Sequence, residues 1–163
     1  MSPPLILALL LTLTSLVAAQ PMKSATVDQL VEQLAAPEQP KTRSLRNLKP
    51  EPRNIDLLIQ FDFDSAKLQE PSKPLLDNLA TAMSADRLMH VRFRVEGHTD
   101  AKGTEAYNLH LSQKRADSVV NYLSERGITQ ARLESTGKGF SELLHPDKPN
   151  SMENRRVRIT TLP

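Results

Sequence analysis

Hydrophobic and polar side chains alternate in four stretches of the chain. In IDLLIQFDF the positions Ile55, Leu57, Ile59, Phe61 and Phe63 are apolar, with Asp56, Gln60 and Asp62 between them. VRFRVE repeats the pattern, setting Val91, Phe93 and Val95 against Arg92, Arg94 and Glu96, and weaker versions recur in ARLESTG and RRVRITT. Successive side chains on a strand point to opposite faces, so this spacing predicts four strands with one face covered. The charges on the other face are expected to form solvated cross-strand pairs.

Two segments with helical spacing are available as the cover. The first starts near Ser72, an expected N-cap with Pro74 in the first turn, and aligns Leu75, Leu76, Leu79 and Met83. The second runs from Thr104 to Arg126 and stops at Gly127. The order β-α-β-α-β-β with one-sided strands predicts an α/β (α+β) two-layer sandwich, a mixed four-stranded sheet with helices on one face. A shorter segment, TVDQLVEQLAA, places Val27, Leu30, Val31 and Leu34 on one stripe, and Thr26 and Gln29 are spaced as a capping box. At roughly ten residues it is too short to persist alone; it either frays or docks on the domain or a partner.

Composition divides the chain. Residues 1–19 carry no charged side chain, contain LILALLLTL and close on Val17-Ala18-Ala19, as a cleaved secretory signal does. The alternative is an uncleaved anchor, although the run falls short of the roughly 20 apolar residues of a bilayer span. Residues 20–54 hold the short amphipathic helix and a linker with four prolines from Pro37 to Pro52, and residues 55–163 are the expected folded domain. The chain contains no cysteine, which removes disulfides, thiolate metal sites and an acyl-anchored lipoprotein from consideration. A net charge of +2 spread over interspersed acids and bases argues against a nucleic-acid surface.

One charge on the second helix is out of place. At about 100° per residue, Tyr107, Leu111, Ala116, Val119, Tyr122 and Leu123 share a broad apolar arc, while His110, Gln113, Lys114, Asp117, Asn121 and Ser124 lie opposite. Asn108, Ser112 and Arg115 project into the middle of the apolar arc. A guanidinium against an apolar layer loses several kcal/mol of hydration unless acceptors replace the water. Its nearest candidate partner is Asp100, where the chain leaves VRFRVEG and turns toward the helix. Two readings stay open: a structural Arg115–Asp100 ion pair, or two opposite charges held ready for a zwitterionic ligand.

The segments FDFDSAKL (61–68), EGHTDAKG (96–103), YNLHLSQKRADSVVNYL (107–123) and NRRV (154–157) resemble, in order and spacing, the OmpA-like peptidoglycan-binding domain. The resemblance implies noncovalent binding of the bacterial cell wall through the diaminopimelate of its stem peptide, with no reaction catalysed and no cofactor. It implies that Asp100 and Arg115 are the main ligand contacts, joined by Asn108, Arg155 and Asp64. Diaminopimelate carries an ammonium and a carboxylate on one carbon, which suit an aspartate and the planar fork of an arginine. Gly97 and Gly103 either let the loop backbone approach the ligand or serve turn geometry. Lys102 and Glu153 depart from the family pattern, and the stretch from Gly139 to Glu153 is shortened.

The expected place is the periplasm, at the cell wall or outer membrane, with residues 26–54 available to another envelope protein. With an uncleaved anchor, the same chain would be the wall-anchoring subunit of a stator or secretion system. A rival reading takes Ser112, His98 and Asp100, or a metal on His98, Asp100 and His110, as a hydrolase site. His110 lies on the polar face and His90 precedes its strand, so three convergent metal ligands are not expected, and no nucleophile elbow accompanies Ser112.

Overall fold

The computed structural model describes residues 20–37 and 51–163. The expected signal and most of the expected linker lie outside these residues. The elements are α1 (Val27–Leu34), β1 (Asn54–Leu57), α2 (Lys73–Ser84), β2 (Arg92–His98), α3 (Glu105–Glu125), β3 (Leu133–Gly139) and β4 (Val157–Leu162). The four strands form one sheet in the order β1-β4-β2-β3. β4 pairs antiparallel with both β1 and β2, and β2 pairs parallel with β3. This is the mixed sheet in the expected β-α-β-α-β-β order, preceded along the chain by α1.

The covered face is the one the alternation marks. Phe93, Val95, Val157, Ile159, Ile55 and Leu57 are buried together with Leu76, Leu79 and Met83 of α2 and Ala116, Val119 and Leu123 of α3. Helix α3 begins at Thr104, whose hydroxyl accepts from the Tyr107 N–H at 3.3 Å. It ends as Gly127 takes a φ of 91° and the Ile128 N–H returns to the Leu123 carbonyl at 3.1 Å, the glycine-terminated close expected there. Ser72 does not cap α2. The chain enters α2 through a 3-10 turn, Glu70–Ser72, so Ser72 is already helical, and its hydroxyl accepts from the Gln60 N–H at 2.7 Å.

The first strand is shorter than its alternation predicts. β1 ends at Leu57, the Ile59 N–H turns back onto the Leu57 carbonyl at 3.2 Å, and Phe61 forms an isolated bridge with Leu68. The loop between them satisfies its own backbone, with Asp62 N–H on the Lys67 carbonyl and Gln69 N–H on the Gln60 carbonyl. Phe63, expected to face inward, is fully exposed.

Helix α1 is docked. Its capping box is formed, Thr26 and Gln29 each accepting from the other's backbone N–H. Leu30 and Leu34 join the common core while Asp28, Gln29, Glu32 and Gln33 face water. Arg53 Nε donates to the Gln33 carbonyl at 2.6 Å and Arg87 Nη2 to the Ala36 carbonyl at 3.3 Å, supplying partners for carbonyls at the open end of the helix. Ahead of α1, Met22 pairs in parallel with Leu57, so the β1 edge is covered. The apolar stripe that could have met a protein partner is therefore consumed within the domain.

The uncovered face carries the solvated cross-strand pairs expected of it where Arg92 and Arg94 of β2 meet Glu134 of β3, but it departs from them around Asp56. The Asp56 carboxylate accepts from Arg156 Nε and from Nε and Nη2 of Arg158, all at 2.9 Å. The Asp56 and Arg156 side chains are buried. The β3–β4 connection folds over this end of the face, where Arg156 Nη2 donates to the Glu142 carbonyl at 3.1 Å. Burial alone would raise the Asp56 pKa, but the hydrogen bonds and charges of Arg158 and Arg156 outweigh it and hold it below its ordinary value.

Leu30→Ala is expected to destabilise residues 20–163 by about 2–5 kcal/mol, the usual cost of emptying a closed core site. Urea unfolding measures this, and a change within about 0.5 kcal/mol would mean that α1 contributes nothing to the fold.

Candidate functional site

Two glycines fix where the site is built. A Cβ on Gly97 would stand 2.2 Å from the Ser112 carbonyl oxygen, and one on Gly137 would stand 2.6 Å from Gln113 N and 2.7 Å from the Leu109 carbonyl. The backbone of α3 therefore rests directly on β2 and β3. Gly97 serves this contact between helix and sheet rather than a ligand approach. Ser112, fully buried, locks the contact by accepting from the Gly139 N–H and donating to the Leu109 carbonyl, both at 2.9 Å.

This seating shifts the buried arc of α3 toward Asn108, Ser112, Ala116 and Val119. Tyr107 is 45% exposed, and Tyr107, Leu111 and Arg115 line an open cavity of about 680 Å³ instead of the core. The same cavity is lined by Asp64, Thr99, Asp100, Asn108 and Arg155. All five residues singled out in the sequence, Asp64, Asp100, Asn108, Arg115 and Arg155, thus meet around one space.

Their pairing is not the one spacing suggested. Asp100 Oδ2 accepts from Arg155 Nη1 at 2.9 Å, and Oδ1 accepts from the Lys102 N–H at 3.2 Å. The structural Arg115–Asp100 ion pair is not formed. Arg155 reaches Asp100 because the 3-10 turn Met152–Asn154 ends beside it, anchored by the fully buried Asn154, which accepts from the His145 N–H and donates to the Lys148 carbonyl.

Arg115 is held from the loop after β1. Its Nε donates to the Ser65 carbonyl at 2.9 Å, and its guanidinium lies over the Phe61 ring, 4.9 Å from the centroid. Among the described residues no acceptor engages Nη1 or Nη2. Burial lowers the Arg115 pKa from its ordinary value and the Arg155 charge adds to this, against the opposing influence of Tyr107, Asp100 and Asp64. Phe61, Ser65 and Tyr107 are site residues that residue spacing did not reveal; the aromatic at 61 read as sheet core.

Asn108 is buried, and its Nδ2 donates to the Lys102 carbonyl at 2.7 Å and the Thr104 carbonyl at 3.1 Å. Both amide hydrogens are committed to the loop after Asp100, which leaves only Oδ1 toward the cavity. Asp64 sits at a φ of 49°, a left-handed conformation aspartate tolerates better than most residues, and accepts a hydrogen bond from the Tyr107 hydroxyl. Lys102 is exposed at the rim. The hydrolase constellation is not assembled: Ser112 is bonded to backbone, Asp100 to Arg155, and neither ring nitrogen of His98 has a partner among the described residues. Nor do three His, Asp or Glu side chains converge as metal ligands among those residues.

The OmpA family model matches residues 60–158, more than half of the chain. The chain belongs to the OmpA family. It is 40% identical to outer membrane protein A of Bordetella avium over 101 residues, 61% of this chain and 51% of that protein. Among solved structures it is similar to the peptidoglycan-associated lipoprotein from Burkholderia pseudomallei, with 32% identity and a TM-score of 0.55, covering 64% of this chain and 88% of that one. It is also similar to the cell wall anchor of the T6SS from Pseudomonas aeruginosa, with 25% identity and a TM-score of 0.56, covering 83% of this chain and 92% of that one. The chain spans between 29% and 58% of the length of the first curated relatives it matches.

In this OmpA-family chain the site stands next to a titrating group. His98, two residues before Asp100, is 2% exposed. Burial, aided by the charges of Arg156 and Arg158, pulls its pKa down to about 3. The unfolded chain, with an ordinary histidine, binds this proton near pH 6.5 while the folded chain does not. Stability from His98 is thus complete above about pH 6.5 and drains away toward pH 3, by up to about 1.4 kcal/mol per pH unit. Between pH 6.5 and pH 5 urea unfolding is expected to show a loss of about 2 kcal/mol that is absent in His98→Gln. Parallel slopes for the two proteins would show that His98 is not held neutral by the fold.

Proposed function

We propose that this chain binds peptidoglycan noncovalently, without making or breaking a bond, by gripping the free end of diaminopimelate in the stem peptide. The observation that carries the reading is the state of Arg115: a half-buried guanidinium, positioned through Nε and Phe61, with both terminal nitrogens unengaged among the described residues, on the cavity that holds Asp100. A planar pair of N–H donors in that state matches a carboxylate in parallel, charge-assisted bonds. The ammonium on the same ligand carbon then falls to Asp100, which among the described residues accepts one hydrogen bond on each oxygen and has further acceptor capacity.

The other residues take supporting parts. Arg155 fixes the Asp100 carboxylate, Asn108 ties down the loop that presents it and offers Oδ1 to the ammonium, and Asp64 closes the wall with Tyr107. The reading agrees with the relatives, one a peptidoglycan-associated lipoprotein and another a cell wall anchor. It places the chain in the cell envelope as a tether of itself, or of an assembly it belongs to, to the wall. A small, partly hydrated ligand gives modest affinity per site, and retention comes from the high local density of stem peptides.

Co-sedimentation of residues 20–163 with purified sacculi tests this. The parent is expected in the pellet, and Asp100→Asn and Arg115→Ala in the supernatant. Arg115→Lys, which keeps the charge but not the fork, is expected to bind at least about tenfold more weakly. Circular dichroism checks that each variant remains folded. Equal sedimentation of all four proteins would place any wall contact outside this cavity.

A further inference from the structure

A second cavity, of about 840 Å³, adjoins the first at Phe61 and Arg115. Phe61, Gln69, Arg115 and Arg155 line both spaces, so the two arginines form a shared wall. The remaining lining combines Lys23 and Lys148 with the apolar Leu58, Ile59 and Met152, the last 71% exposed. Four cations, Lys23, Arg115, Lys148 and Arg155, face this space against one carboxylate, Glu153. That carboxylate lies 2.7 Å from His145 Nε2, though not aligned as a hydrogen bond. Among the described residues the lysine ion pairs are made by Lys67, Lys73 and Lys138, and neither Lys23 nor Lys148 is in one.

The two lysines are carried on fixed backbone. Lys23 follows Met22, whose N–H donates to the Asp56 carbonyl and whose carbonyl accepts from the Leu58 N–H, both at 2.8 Å. The Lys148 carbonyl accepts from the Ser151 N–H and from Asn154 Nδ2, both at 2.9 Å. Lys23, Leu58 and Ile59 lie outside the stretch matched to the family, residues 60–158. Three of the residues that line the groove, one of them from the segment laid along β1, are therefore supplied from outside the matched stretch.

We propose that this groove is a second subsite, which takes a further carboxylate of the same acidic peptide whose diaminopimelate end lies in the first cavity. It rests on the diaminopimelate reading given above. A peptide crossing the Phe61–Arg115–Arg155 wall passes from a site for a zwitterion to one for an anion with an apolar flank. A stem peptide supplies that anion: a glutamate joined through its side chain keeps its α-carboxylate free. Lys23 and Lys148 pair with it, and Leu58, Ile59 and Met152 cover the intervening chain.

The test uses calorimetric titration of residues 20–163 at low salt with three probes. These are free meso-diaminopimelate, which has no net charge, L-alanyl-γ-D-glutamyl-meso-diaminopimelate, and the same tripeptide with the glutamyl α-carboxylate amidated. The double variant Lys23→Glu, Lys148→Glu changes two exposed side chains and leaves the first cavity intact. The parent is expected to bind the tripeptide about tenfold more tightly than its amidated form. The double variant is expected to lose that preference while binding free diaminopimelate within about twofold of the parent, since exposed charges act weakly on a neutral ligand. An unchanged preference in the double variant, or an equal loss for all three probes, overturns the subsite. A parent that binds none of the three overturns the diaminopimelate reading and the subsite with it.

Discussion

Backbone contact between α3 and the sheet governs the geometry of this molecule. With no side chain on Gly97 or Gly137, the helix settles until the Ser112 carbonyl would be 2.2 Å from a Cβ on the strand below. Ser112 then hooks the Gly139 N–H, and register along the helix follows. Asn108 lies four residues before Ser112 and Arg115 three after it, one helical turn to either side. One is brought under the loop that carries Asp100 and the other beside the loop after β1. A bulkier residue at position 97 would lift the helix and move both ends of the site together.

That seating leaves Arg115 at the margin of the core. Burial there costs hydration, which the Phe61 ring and the Ser65 carbonyl replace only along one side of the guanidinium. The cation is thereby oriented and still has donors to spend. Asp100 is kept from neutralising it by Arg155, so opposite charges share one cavity without collapsing onto each other. A direct Arg115–Asp100 bridge would have used up both groups. The three-residue arrangement leaves a positive and a negative end on one cavity, as the proposed zwitterionic ligand requires.

Much of this was legible in the sequence, and the exceptions have physical reasons. The alternation in VRFRVE reports burial on β2 directly, and Thr104 and Gly127 bound α3 as their chemistry dictates. Alternation does not report where pairing stops: IDLLIQFDF reads as one strand, yet the ladder with β4 ends at Leu57, because the loop to Leu68 bonds to itself. The helical wheel set Arg115 on the apolar arc, but not at the open margin where it stands, nor against Ser65, 50 residues distant along the chain. Arg155 reaches Asp100 across 55 residues through the folding of the β3–β4 connection. For α1 the apolar stripe was visible and its destination was not, because an amphipathic face has the same pattern whether it packs on its own domain or on another.

The central claim is that the terminal nitrogens of Arg115 are held open for a ligand carboxylate. Nitrogen-15 NMR of the arginine side chains during titration with meso-diaminopimelate reads those atoms directly. The account predicts that the Arg115 Nη resonances shift and that rotation about Cζ–Nη slows, while Nε, committed to the Ser65 carbonyl, changes little. Saturable binding of the ligand with the Arg115 Nη resonances unmoved would contradict it.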